Sequence, residues 1–342
     1  MNNFPVESSP IVSMIIPVYQ GEAFIIEALR SVTVQTFRNI EIVAINDGST
    51  DATQELLMEY ARQEPRLHII NLPTNVGVHR ARAHGVMAAR GKILGFLDGD
   101  DWIHPEAIER MVSALEENDA DIVVCSVQFS ALDGGLGAHK VKFTHEEVVD
   151  TEILRRFCTL SFGTGSLCNK FYRREVLESF AIHDFGEIVP INEDYIVNFG
   201  AFFAAKRVCL LPDSLYFYRQ HSYSVTASAD RARAFVRMLR AYVLCLEAYS
   251  HHGVEIKKLI DLLYATQLRF DVYQVEDCNE LDEFTDHIAE SLRRLADIHP
   301  TAVYNLCHLF DVPHYKSQVT QKFKIISLMR SAYRRIQSFF RG

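Results

Sequence analysis

Two hydrophobic periods alternate along the first 130 or so residues. Short apolar runs recur at Ile11–Val18, Asn39–Ile45, Leu67–Asn71, Lys92–Leu97 and Asp121–Val127, each the length of a buried strand. Between them apolar residues fall three and four apart. In Gly21–Gln35 these are Phe24, Ile25, Ala28, Leu29 and Val32, one face of a helix. The same spacing predicts helices at Ala52–Gln63, Val78–Ala89 and Pro105–Asn118, the last with proline in its first turn. Four strand–helix repeats closed by a strand predict an α/β chain. Connections of that length join parallel strands by right-handed crossovers, so the sheet is expected to be mostly parallel and flanked by helices.

Beyond residue 130 the order changes. Asp133-Gly134-Gly135 reads as a hairpin tip, Glu146–Leu160, Arg173–Phe180 and Asn192–Ala205 as helices, and Arg207–Leu211 and Leu215–Arg219 as short strands. Arg231–Ser250, Val254–Tyr273 and Asp282–Ala296 each carry an apolar stripe. The expected division is an α/β domain over 1–228 and a helical region over 229–342.

Composition narrows the function classes. The 342 residues are 48% hydrophobic and 23% charged, the make-up of a folded soluble protein. A formal charge of −9 speaks against bulk nucleic-acid binding. Seven cysteines without a CxxC pair give neither a disulfide scaffold nor a zinc ribbon, so reduced, packed thiols are expected. MNNFPVESSP lacks a basic and an apolar region, and no run reaches the roughly 18 apolar residues of a membrane span. A cytoplasmic location is the expectation.

In parallel sheets ligands sit beyond the carboxyl ends of the strands, and the polar clusters of this chain stand there. Leu97 is followed by Asp98-Gly99-Asp100-Asp101. Asp98 and Asp100 are two apart, hence on one side of an extended chain, and Gly99 permits close approach. Two hard oxygen ligands with open positions suit Mg²⁺ or Mn²⁺ shared with substrate phosphates, although acids also favour a helix N-terminus. Asp47 ends the second strand in Asn46-Asp47-Gly48-Ser49-Thr50-Asp51, where a turn needs Ser49 or Asp51 but not Asp47. Its carboxylate offers an acceptor to a base edge. Tyr19, just after the first strand, offers a ring either to a nucleobase or to the core.

Five segments in order resemble glycosyltransferase family 2: IIPVYQ (15–20), NDGSTD (46–51), NVGVHRARAHG (75–85), ILGFLDGDDW (93–102) and NEDY (192–195). Members usually show IIPVYN, DDGSTD, N-x-G-x-x-x-A-R-N, FLDSDDW and a later ED. The resemblance spans roughly residues 10–225. It implies a GT-A fold, a UDP- or other nucleotide-sugar donor, a divalent metal and inversion at the anomeric carbon. By that likeness Pro17, Tyr19, Asp47, Arg82, Asp98 and Gly99 surround the nucleotide. Asp98 and Asp100 bracket the metal, and Asp194 is the base.

Asp101, Glu193, Lys170 in CNKFYR, and Arg219 and His221 in YRQHS are further candidates for diphosphate or acceptor contacts. Lys170 reads equally as a loop anchor, and Asp194 as a first-turn acid of a helix. Gln20, Asn46 and Ala83-His84 depart from the usual pattern without touching the acidic pair or the base. The QxxRW of processive synthases is absent, and Trp102 is the only tryptophan, which favours one sugar per encounter.

The tail 314–342 holds seven basic and no acidic residues, interleaved with Phe323, Ile326, Leu328, Met329, Tyr333, Ile336, Phe339 and Phe340. Such a helix lies in an anionic membrane surface, packs on its own acidic domain, or mediates a homodimer. Membrane contact suits a lipid-linked acceptor, and makes the expected location peripheral on the inner face of the cell membrane. The expected activity is metal-dependent transfer from a nucleotide sugar to a saccharide or lipid-linked acceptor in surface-polysaccharide or lipopolysaccharide synthesis. An inactive nucleotide-sugar-binding scaffold is the alternative.

Overall fold

The computed structural model describes residues 9–186, 192–221, 231–274 and 284–302. They fall into two compact units. The first takes those within 1–153, 162–190 and 197–223, and the second those within 154–161, 191–196 and 224–342.

The first unit is built on β1 (Val12–Val18), β2 (Ile40–Asn46), β3 (Leu67–Asn71) and β4 (Ile93–Phe96), linked by α1 (Ile25–Thr33), α2 (Thr53–Ala61) and α3 (Val78–Ala88). Every residue of β1, β2 and β4 is buried, as expected of a sheet covered on both faces. β1 runs parallel to both β2 and β4, and β2 to β3. α1 starts four residues later than the periodicity suggested, because residues 21–24 are spent on a loop, while α2 and α3 lie within one or two residues of the expected bounds at each end.

After β4 come β5 (Trp102–Ile103), α4 (Ala107–Glu117), β6 (Ile122–Ser130) and β7 (Leu136–Val141). The β6–β7 hairpin turns at Gly134, as its sequence suggested. Next are β8 (Glu147–Val149), α5 (Ile153–Cys158), β9 (Lys170–Arg173), α6 (Arg174–Ala181), α7 (Glu193–Ala204) and β10 (Val208–Arg219). The strand order is β3-β2-β1-β4-β9-β6-β10-β5, with β7 beside β6 and β8 beside β10. β9 is antiparallel to β4 and to β6, while β10 is parallel to β6. The carboxyl ends of β1–β4, β6 and β10 therefore share one edge.

Several elements differ from the sequence pattern. β6 does not pair with β4, because β9 inserts between them. Glu146–Leu160 is not one helix: its start pairs antiparallel with Val208–Leu210 as β8, and only Ile153–Cys158 is helical. The two strands expected across 207–219 are one, with irregular register around Pro212-Asp213. There the proline removes a ladder donor and bends the strand without ending it.

The second unit contains α8 (Arg231–Tyr249), α9 (Val254–Gln274) and α10 (Thr285–Ile298). Phe235, Leu239, Tyr242 and Leu246 form a buried row along α8 at helical spacing, and Leu263, Tyr264 and Leu292 are buried in α9 and α10. The Tyr242 hydroxyl donates to Asp261 at 2.5 Å, and His299 Nε2 lies 3.0 Å from the other oxygen of that carboxylate.

Cys125, Cys158, Cys168, Cys209 and Cys245 are buried free thiols. Burial pushes Cys125, Cys158 and Cys209 up to about 12, so they are protonated and inert at neutral pH. Residues 314–342, Pro190, Ser222, Ser224, Cys278 and Cys307 lie outside the described residues.

Candidate active site

Four loops meet at the carboxyl edge of the first unit. The β1 loop and the β2 loop are stitched together. Gln20, at φ +52°, donates its backbone N–H to Ser49 Oγ at 3.0 Å, and its side-chain oxygen accepts Thr50 N–H at 2.8 Å. Gly21 N–H reaches Thr53 Oγ1 at 2.8 Å, and Glu22 N–H reaches Asp51 Oδ2 at 3.1 Å. Gln20 thus acts as a clip between the two loops. Tyr19 beside it is 52% exposed, its ring open to solvent, whereas Pro17 is buried within β1.

Asn46 explains its own departure from aspartate. Its amide donates to Asn71 Oδ1 at 3.0 Å while its oxygen accepts Ser49 N–H at 3.1 Å. Asp47 is 2% exposed and accepts Val76 N–H at 2.8 Å and Gly77 N–H at 3.1 Å. Gly77 precedes α3, so this carboxylate also sits at a helix N-terminus, where negative charge is favoured. Gly48, at φ +70°, lies so near the β3 loop that a Cβ would stand 2.4 Å from the Thr74 carbonyl carbon. The β2 and β3 loops are therefore pressed together, and only glycine fits.

The acidic loop follows β4. A Cβ on Gly99 would stand 3.1 Å from Val18 and 3.3 Å from the Pro17 carbonyl oxygen, which puts this loop directly against the end of β1. Asp98 is half-buried, and its Oδ1 accepts from Nη2 of the buried Arg82 at 2.8 Å. Asp100 Oδ2 lies 2.9 Å from His221 Nε2, and the His221 ring packs 4.7 Å from that of Phe24. Burial and the charge of Asp98 push the Asp100 carboxyl up, against the opposing pull of His221. A carboxyl pushed up by burial and by a neighbouring carboxylate marks a place where a cation would be stabilised.

Asp101 faces inward. It is 2% exposed and lies between the Tyr216 hydroxyl and Arg219 N–H, the latter at 2.8 Å. Burial, reinforced by Asp100 and Asp98, holds its carboxyl well above the usual range. Arg219, itself 2% exposed, donates from Nε to the Asp100 carbonyl at 2.8 Å and pairs through Nη2 with Glu27 at 2.7 Å.

The remaining candidates come from other elements. Lys170 is fully buried at the start of β9, and its Nζ donates to the carbonyls of Thr164 and Ser166 and to Asn169 Oδ1. Glu193, buried, and Asp194, half-buried, form the first turn of α7, after Asn192 at φ +70°, and belong to the second unit. Tyr216 and Glu27 escaped the sequence reading. One reads as a strand aromatic and the other as a surface helix acid, and no local signal separates them from such residues.

The donor set fits a hard divalent cation. Asp98 and Asp100 offer carboxylate oxygens, and Mg²⁺ or Mn²⁺ is ordinarily held by one or two carboxylates, with water and substrate phosphates completing six positions. Among the described residues, no group of three or more His, Cys, Asp and Glu side chains forms a ready-made cage.

A family model described as Glycosyl transferase family 2 matches residues 13–180. The uncharacterized glycosyltransferase EpsJ of Bacillus subtilis is 33% identical over 251 residues, 72% of this chain and 71% of that protein. The succinoglycan biosynthesis protein ExoO of Rhizobium meliloti is 29% identical, over 71% of this chain and 72% of its own. In fold, the chain is similar to S. aureus TarS 1–349, solved in complex with UDP, with a TM-score of 0.64 at 20% identity over 96% of this chain and 91% of that one. The mostly parallel sheet with flanking helices is the GT-A arrangement, and the chain is a transferase enzyme that belongs to glycosyltransferase family 2.

Proposed function

We propose that this enzyme moves a sugar, with inversion, from a UDP-sugar to a saccharide or lipid-linked acceptor in the assembly of a surface polysaccharide. The observation that carries this reading is the acidic loop. Asp98 and Asp100 flank Gly99 at the carboxyl end of β4, with Arg82 on Asp98 and the loops of Tyr19 and Asp47 at the same sheet edge. UDP as the nucleotide is supported by the fold shared with TarS, which binds it. A polysaccharide product is supported by the likeness to ExoO, named for succinoglycan biosynthesis.

Each residue has a chemical task in this reading. The exposed Tyr19 ring gives a nucleobase a face to stack on. Asp47 holds the β3 loop in place, and each of its oxygens keeps a lone pair for a base edge. Asp98 and Asp100 would hold Mg²⁺ or Mn²⁺, which when bound supplies Lewis-acid stabilisation of charge on the departing diphosphate. The Arg82 guanidinium fixes the orientation of Asp98 and adds a permanent positive charge.

The Asp194 carboxylate takes the proton of the acceptor hydroxyl as that oxygen attacks the anomeric carbon. The bond from that carbon to the diphosphate breaks, and its electron pair leaves with UDP. Attack opposite the leaving group inverts the centre.

Asp194→Asn tests the assignment. Transfer, followed as UDP release with an accepted sugar acceptor, should fall by about 10² to 10⁴ while the Kd for UDP stays unchanged. A variant of normal activity removes Asp194 from the role.

A further inference from the structure

The acidic loop is held from one side, by the last residues of β10. The Tyr216 hydroxyl donates to Asp101 Oδ2 and lies 3.4 Å from the Asp98 N–H that points to it. Arg219 binds the loop twice, through its own N–H to Asp101 Oδ1 and through Nε to the Asp100 carbonyl, each at 2.8 Å. Its Nη2 pairs with Glu27 on α1 at 2.7 Å, and the guanidinium carbon stands 5.2 Å from the centre of the Phe24 ring. Beyond the loop, β5 pairs with β10 at Trp102 and Ile103, and Trp102 stacks on Phe217 at 3.9 Å.

These contacts bear on what Arg219 does. The Arg219 guanidinium is 2% exposed, its Nε is spent on the Asp100 carbonyl, and its Nη2 faces Glu27 as an ion pair that forms no hydrogen bond. Gly99 makes the backbone between Asp98 and Asp100 the softest point of the loop. Bonds to the Asp98 N–H, the Asp100 carbonyl and the Asp101 carboxylate restrain it on either side of that point.

We infer that Tyr216, Arg219 and Glu27 are positioning residues that fix Asp98 and Asp100 relative to each other for joint use on a cation and a diphosphate. They act through the Asp101 carboxylate and the Asp100 carbonyl, without touching the donor. The inference rests on the reading of Asp98 and Asp100 as cation ligands. One of its readouts is independent of that reading.

The full-length chain is compared with Tyr216→Phe, Arg219→Lys, Arg219→Ala and Glu27→Gln. UDP is titrated calorimetrically with Mn²⁺ and again with a chelator, and hydrogen exchange of residues 97–103 is followed in metal-free protein. The Kd for UDP with Mn²⁺ should rise about tenfold in Tyr216→Phe and Arg219→Ala, as for outer-shell partners of metal ligands. The Kd with chelator should not move. Arg219→Lys, which can reach one of the two partners, should recover part of the loss. Glu27→Gln, altered at a half-exposed position where folding is safe, should shift in the same direction by less.

Amides of 97–103 should exchange faster in each variant. A Kd that rises equally with chelator makes Arg219 a direct diphosphate contact and overturns the inference. So does a lowered Tm with unchanged Mn²⁺-dependent affinity, or unchanged exchange in the loop. If wild-type protein binds UDP equally with and without Mn²⁺, the metal reading fails, and the exchange result alone decides the inference.

Discussion

Lys170 Nζ donates to the carbonyl oxygen of Thr164 at 3.2 Å and so closes the loop before β9 upon itself. The ammonium is fully buried and also serves the Ser166 carbonyl and Asn169 Oδ1. A buried cation survives only when its donors are spent in this way. Lys170 is therefore an anchor of the strand that separates β4 from β6. In Lys170→Met the carbonyls lose their partner, at about 1–3 kcal/mol for each group left unsatisfied. The expected result is a clearly lowered Tm with unchanged UDP affinity. Unchanged Tm with weakened UDP binding would make it a ligand contact.

Glu41 gives the fold a dependence on acid. It is 2% exposed in β2 and accepts from Ser13 Oγ at 2.6 Å and from Arg90 N–H and Nε at 2.5 and 2.8 Å. Burial pushes its carboxyl up, but the bonds from Ser13 and Arg90 outweigh that and leave it below its ordinary value of 4.5. A lowered carboxyl stabilises the fold fully above 4.5 and ceases to do so as pH falls through the lowered value. Glu41→Gln should cost about 1–3 kcal/mol near neutrality. The gap in Tm from wild type should narrow below pH 4.5. A gap independent of pH contradicts this role.

Residues 314–342 carry the prediction for the membrane. Seven basic residues amid large apolar ones would bind an anionic surface with about 1 kcal/mol from each charge near it. Among the described residues no helix is long and apolar enough to cross a membrane. The full chain should float with anionic vesicles and stay behind with neutral ones, and a chain ending at residue 313 should float with neither. Equal flotation of both forms would assign the binding elsewhere or remove it.

The strength of each signal in the sequence followed its locality. β1–β4 and their helices were legible because a contiguous run carries each period. The hairpin was legible from Asp133-Gly134-Gly135. β9 is four residues and β5 two, and both become strands only through partners far along the chain. Asp98 and Asp100 stood out as acids two apart after a strand and Asp47 as an acid its turn does not need, whereas Arg82, inside α3, was legible only by resemblance. Asp101 looked the same but is buried, because Arg219 returns to it across 118 positions of sequence. Tyr216 and Glu27 take their meaning from that same return. Asp194 was legible only by resemblance, since a first-turn acid is ordinary in any helix.

The central claim is that Asp98 and Asp100 together hold a divalent cation against a nucleoside diphosphate. Titration of UDP into wild-type protein, Asp98→Asn and Asp100→Asn, with Mn²⁺ and with chelator, tests it most directly. Wild-type affinity should be tighter with Mn²⁺ by about tenfold or more, at about 1.4 kcal/mol per tenfold, and each variant should lose that gain. A wild-type Kd that ignores Mn²⁺, or variants that keep the full gain, would contradict the claim.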